Sequence, residues 1–247
     1  AALFVKGDRF AALLGHLLQN VRYQCVIVGN IGGGAQFDVL VLQLGQDQAD
    51  GGQPLFLACL HCFDLGGTAV GQPGSALHIT PQWHGPQPKA APVEIASACG
   101  VDRHPLDARN ADSCERLLAF IWADQHNRTR RLERALEIAR AHPPRIDEGE
   151  AIGWITDRLA APQPRGVCRV VFHSMFRQYL PGPEQIRLGE LIQAAGERAT
   201  CDQPLAWVSL EWTPDRSEVQ LMLTCWPDGQ SRLLATCHPY GEWIRWR

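Results

Sequence analysis

No stretch of this chain approaches the roughly 20 consecutive apolar residues that a helix needs to cross a bilayer. Charge of one sign is lacking too. The formal net charge of −3 removes the electrostatic case for a nucleic-acid or anionic-membrane partner. The opening residues, A-A-L-F-V-K-G-D-R-F, contain no basic region followed by an apolar core, so no secretory leader is read there. They also lack an initiator Met, which reads as an internal fragment. A disulfide framework is missing: the nine cysteines are scattered and odd in number, and Cys25, Cys168 and Cys225 lie in apolar runs where a thiol behaves as a small hydrophobe. That usage fits a reducing, cytoplasmic setting. Cys59-Leu60-His61-Cys62 has no second C-x-x-C to complete the four ligands of a structural zinc site, so it reads as a buried thiol pair and no metal site is expected. His173-Ser174-Met175-Phe176 is not the G-x-S-x-G elbow that a serine hydrolase needs, which leaves Ser174 a poor nucleophile candidate.

What the chain does contain is 45% hydrophobic residues arranged as alternating strand and helix patterns, enough for one large domain over residues 1–247. The most informative run is Val167–Phe172, a continuous apolar segment that breaks into His173-Ser174. Such a run reads as a strand buried on both faces, and polar groups at its carboxyl end stand where open α/β sheets bind ligands. Upstream, residues 8–19 have helical spacing. Y-Q-C-V-I-V (23–28) reads as a first strand, followed at once by G-N-I-G-G-G (29–34). There Gly29 and Gly32 would let the backbone approach a nucleotide-like cofactor, although a plain glycine turn fits equally. Residues 36–92, rich in Gly and Pro, read as an irregular excursion with short strands near 37–44 and 75–80.

Pro92–Asp102 reads as the next strand. An acidic residue just past it can accept hydrogen bonds from ribose hydroxyls; Asp102 is the candidate, with Asp107 in reserve as either a second acceptor or a helix cap. Residues 113–141 read as two helices broken near 123–127. The second carries Arg128, Arg130, Arg131 and Arg134, either an anion patch or a solvated face. Residues 145–151 give a short strand and an acidic turn, where Glu150 either meets an adenine amino group or favours the following helix by charge–dipole attraction. A helix over 183–198, a strand over 204–212 ending in Glu211, and a hairpin around Pro227-Asp228-Gly229 complete the chain.

Alternation of this kind implies a mostly parallel sheet with helices on both faces. The expected architecture is a Rossmann-like three-layer α/β sandwich, with a seven-strand, mostly parallel sheet and a C-terminal antiparallel β-hairpin. This order resembles the class I S-adenosylmethionine-dependent methyltransferase fold. A closer resemblance rests on D-L-G-G-T-A-V-G-Q-P-G-S (64–75), G-V-D-R-H-P-L-D (100–107), F-I-W-A-D-Q (120–125), V-V-F-H-S-M-F-R-Q-Y-L (170–180), P-L-A-W-V-S-L-E (204–211) and H-P-Y-G-E-W-I-R-W (238–246). Together and in order they are similar to the bacterial domain of unknown function 2332, a family that brings no activity with it. Members carry a G-A-S-A-G-L-N-L-like loop before the D-L-G-G-T region, and residues 40–62 hold no such motif.

The methyltransferase resemblance implies S-adenosylmethionine as cofactor, with a small-molecule acceptor as partner. Gly29, Gly32, Asp102, Glu150 and Ser174 would hold the cofactor. His173 would act as general base, and Tyr179 and His238 would line the acceptor pocket. The alternative is a non-catalytic Rossmann-like module that binds a nucleotide or a partner.

Overall fold

The computed structural model describes residues 39–45, 61–88 and 94–247. The candidate strand at 23–28 and the glycine turn with Gly29 and Gly32 lie outside these residues.

The centre of the molecule is β8, Cys168–Ser174. Its first six residues are all buried, as the continuous apolar run requires, and Arg169 and His173 are buried with it. Strands β6 (Glu94–Asp102), β7 (Ile146–Glu148) and β9 (Leu205–Trp212) point the same way as β8: β6 pairs parallel with β7, and β8 parallel with β9. Between the two pairs lies β1, Val39–Gly45, antiparallel to both β6 and β8. Past β9 the sheet continues through β10 (Val219–Trp226), β11 (Gln230–Cys237) and β12 (Trp243–Trp246), each antiparallel to its predecessor. It ends at β5 (Gln82–His84), which lies parallel to β12.

The result is a nine-stranded mixed sheet in the order β5-β12-β11-β10-β9-β8-β1-β6-β7. Five of its eight pairings are antiparallel: β1 with β6 and with β8, β9 with β10, β10 with β11, and β11 with β12. The mostly parallel, seven-strand Rossmann-like sandwich expected from the sequence is therefore not what the chain forms. Two things overturn it. A reversed strand occupies the middle of the sheet, and the C-terminal hairpin, which forms as β10–β11, is extended by β12 into an antiparallel meander that continues from β9. Short turns between antiparallel neighbours need no crossover helix, so the chain from β9 onward departs from the alternating pattern.

One face of the sheet is covered by α3 (Ala151–Ala160) and α4 (Gly182–Glu197). Their Ile155, Leu159, Leu188 and Ile192 pack on Val101, Val171 and Leu205. Gly196 lets α4 lie directly on the Trp226 indole, which a Cβ there would strike. The other face gathers Val170, Phe172, Val208, Leu210, Val219, Leu221 and Ala235. The segment read as irregular is more ordered than its composition suggests. Strands β2 (Cys62–Asp64), β3 (Ala69–Gly71) and β4 (His78–Ile79) form a three-stranded sheet. Its Phe63, Leu65, Leu77 and Ile79 pack on Ala135 of α2 (His126–Ala141). The adjoining part of the same apolar stripe of α2 meets α1, Ala111–Ala119, through Leu117, Leu132 and Leu136. Trp83 of β5 is packed against both the small sheet and the main one.

Arg169 holds α3 to the sheet. Its guanidinium donates to the carbonyls of Leu159, Ala161 and Pro162 at 3.2, 2.8 and 3.2 Å, satisfying the open C-terminal end of the helix from inside the core. None of the seven cysteines among the described residues is in a disulfide. Burial pushes Cys168 and Cys225 up to about 12, which makes them packing groups rather than nucleophiles. No helix among the described residues is long and apolar enough to cross a membrane.

Candidate functional site

Because β6, β7, β8 and β9 share a direction, their carboxyl ends open on one edge of the sheet. The chain order reverses between β6–β7 on one side and β8–β9 on the other. At that edge the amino end of β1 stands between the two pairs. The register fixes what faces what. Leu40 of β1 pairs with both Gly100 and Phe172, so these stand at one level on one face. Two residues further along, Asp102 and Ser174 therefore share that face and level, separated by two strand spacings, about 9–10 Å. His173 and Glu211 belong to the opposite face, with α3 and α4.

Asp102 is the most costly group at this edge. It is 3% exposed. Its Oδ1 accepts from the backbone N–H of His104 at 2.7 Å, and among the described residues nothing is bonded to Oδ2. Desolvation by burial raises the carboxyl to about 6, and the His104 N–H offsets only part of that. The Asp102 carbonyl accepts from Gly149 N–H at 3.0 Å, which ties the turn after β7 to the end of β6. Glu150, the N-cap residue of α3, makes no side-chain cap bond. It pairs instead with Arg103 at 2.8 and 3.0 Å, both side chains well exposed. The reserve residue Asp107 is committed to Arg109, whose side chain and backbone N–H hold it below the ordinary carboxylate range.

His173 is 2% exposed and both of its ring nitrogens are engaged. Nε2 accepts from the Trp207 indole N–H at 2.9 Å, so Nδ1 carries the proton and donates to Glu211 Oε1 at 2.7 Å. Glu211 Oε1 also accepts the backbone N–H groups of Phe176 and Arg177 at 3.0 and 3.2 Å. Those two groups are turned inward by Met175, whose φ of 52° is left-handed although it is not glycine. Such a conformation costs about 1–2 kcal/mol and persists only where its surroundings impose it. Here they do: Met175 is buried in the core, and its N–H donates to the Leu210 carbonyl at 2.8 Å. As placed, His173 orients Glu211 and has no free nitrogen with which to take a proton.

Tyr179 closes the 3-10 turn Arg177–Tyr179 and is 42% exposed. His238 follows β11 at the same edge of the sheet, since Cys237, Val219 and Trp212 are in register. It lies against the Tyr240 and Trp243 rings, and its Nδ1 accepts from Tyr240 N–H at 3.3 Å. The arginines of α2 serve their neighbours rather than one another: Arg128 bonds Gln125 and covers the Tyr240 ring, Arg130 bonds Asn127, and Arg134 pairs with Glu137. The structure thus brings Asp102, Glu150, His173, Ser174 and His238 to one edge. The polar residues that sequence reasoning missed are Glu211, to which it gave no role, and Trp207. Glu211 had a legible signal, since it is the one carboxylate ending the apolar run of β9.

Profile comparison matches residues 58–246 to a bacterial protein family described as an uncharacterized protein conserved in bacteria, domain of unknown function 2332. No curated protein matches the chain, and no solved structure matches it.

Proposed function

The chain belongs to that family, and on this premise we propose that it binds S-adenosylmethionine at the carboxyl edge of β6–β9 and transfers the methyl group to a small-molecule acceptor. The observation that carries the reading is Asp102. A carboxylate kept dry at a cost to stability, with one oxygen uncommitted among the described residues, suits a donor pair such as a ribose diol. Glu150 follows Gly149, whose N–H donates to the Asp102 carbonyl, and so stands on the β7 side of the same edge. Ser174 stands on the same face as Asp102, two strand spacings away, about 9–10 Å. The ligand would supply an activated methyl group on a sulfonium. The chain's part is to bind it, orient it and exclude water, and positioning alone can lower such a barrier substantially.

The test is a melting-temperature titration with S-adenosylhomocysteine and with S-adenosylmethionine. Ligand at a hundredfold excess over its Kd stabilises the folded state by about 2.7 kcal/mol. A flat melting temperature with both compounds overturns the reading. With binding established, Asp102→Ala should abolish the shift. A second reading, a non-catalytic binding module, is favoured by one observation: both nitrogens of His173 are engaged, so the base expected there is not available. Formation of S-adenosylhomocysteine from S-adenosylmethionine in the presence of acceptor separates the two.

A further inference from the structure

Asp102 has an acidic neighbour on its own face of the sheet. The parallel pairing of β6 with β7 sets Asp102 beside Glu148, one strand spacing away, about 4.8 Å. Side chains alternate along β7, so its two acids point to opposite faces. Asp147 turns to the helix-covered face, where it accepts from the Trp154 indole and the Arg158 guanidinium of α3. Glu148 therefore turns to the other face, the one that carries Asp102 and Ser174. It is exposed, and among the described residues nothing bonds its carboxylate. The other acids nearby are committed, Glu150 to Arg103 and Asp107 to Arg109. A buried carboxylate and a solvated one side by side suit a ligand with two adjacent O–H donors. Oδ1 of Asp102 is occupied by the His104 N–H, which leaves Oδ2 for one hydroxyl. The second hydroxyl of a vicinal diol sits on the next carbon and needs an acceptor close by, and the flexible side chain of Glu148 can lean in from the adjoining strand to supply it.

We infer that Glu148 is the second acceptor for the ribose of the bound ligand, and that Asp102 and Glu148 take one hydroxyl each. The inference rests on the reading of this edge as an S-adenosylmethionine site and adds to it a residue that decides specificity. A ribose that lacks either hydroxyl leaves one carboxylate without its donor, and a ribose phosphorylated there meets two negative charges.

The probes are S-adenosylhomocysteine and its 2′-deoxy and 3′-deoxy forms, with affinities measured by calorimetry. The wild-type chain is expected to bind the parent compound about tenfold more tightly than either deoxy form. Glu148→Ala removes an exposed side chain and should leave the melting temperature of the free chain nearly unchanged. It is expected to bind the parent compound about tenfold more weakly. It should lose the preference over one deoxy form and keep it over the other, whose missing hydroxyl belongs to Asp102. The inference falls if the variant keeps both preferences, if it loses both, or if the wild type shows neither. Failure of the wild type to bind the parent compound removes the donor site itself, and the role of Glu148 with it. Binding with a preference for both hydroxyls that Glu148→Ala does not alter removes only the role of Glu148.

Discussion

Replacing Asp102 by asparagine is the sharpest test of the site, because it pulls stability and binding in opposite directions. The carboxyl stands at about 6 in the folded chain against an ordinary value of 3.8. A raised carboxyl means that the folded state holds the proton more tightly than the unfolded state does. Its contribution to stability is therefore fully present below pH 3.8 and is lost as pH rises through 6. At 1.36 kcal/mol per unit, the full cost above pH 6 is about 3 kcal/mol, and partial solvent access brings it nearer 1.5–3 kcal/mol. Asparagine has the same shape and keeps an oxygen for the His104 N–H, but carries no charge to desolvate. Urea unfolding at pH 4, 5 and 7 should show Asp102→Asn equal to wild type at the lowest pH and more stable by about 1.5–3 kcal/mol at pH 7. The same variant should bind S-adenosylhomocysteine more weakly, having exchanged a charged acceptor for a neutral one. A stability difference that does not change with pH would refute the burial argument. A stabilised variant with undiminished binding would refute the role assigned to Asp102.

Two further substitutions test the frame around the site. Arg169→Ala removes a buried guanidinium that serves three carbonyls at the end of α3, and should lower the unfolding free energy by about 3 kcal/mol or more; a loss under 1 kcal/mol in urea unfolding would show that the helix end finds other partners. Gly196→Ala places a methyl group against the Trp226 indole and should cost about 1–3 kcal/mol through overpacking, with a matching change in tryptophan fluorescence; an unchanged melting temperature would mean that α4 does not seat on that ring.

Local features of the fold were legible in the sequence, and pairings were not. The run Val167–Phe172, the break between α1 and α2, the spacing of α4 and the turn at Pro227-Asp228-Gly229 each announce themselves within a few residues, because burial pattern and turn chemistry are local. Whether Leu40 would stand between Gly100 and Phe172, and which way its strand would run, depends on residues more than 50 positions away. A short apolar run carries no mark of its direction, so the alternation of elements supplied a parallel sheet that the chain does not build. The same distinction holds at the site. Asp102 could be named from its place after a strand. His173 could be named too, but its character is set by Trp207 and Glu211, 34 and 38 residues further on, and those partners leave it neither nitrogen for the task its position suggested.

The bend after β8 has a consequence for observing the molecule. Phe176 and Arg177 each send a backbone amide to the carboxylate of Glu211, so these amides act as a spectroscopic antenna wired to the edge of the sheet. Any ligand that draws charge from Glu211 lengthens or shortens those two bonds, and their proton resonances move before any larger rearrangement of the chain. The contorted Met175 is what keeps the antenna taut.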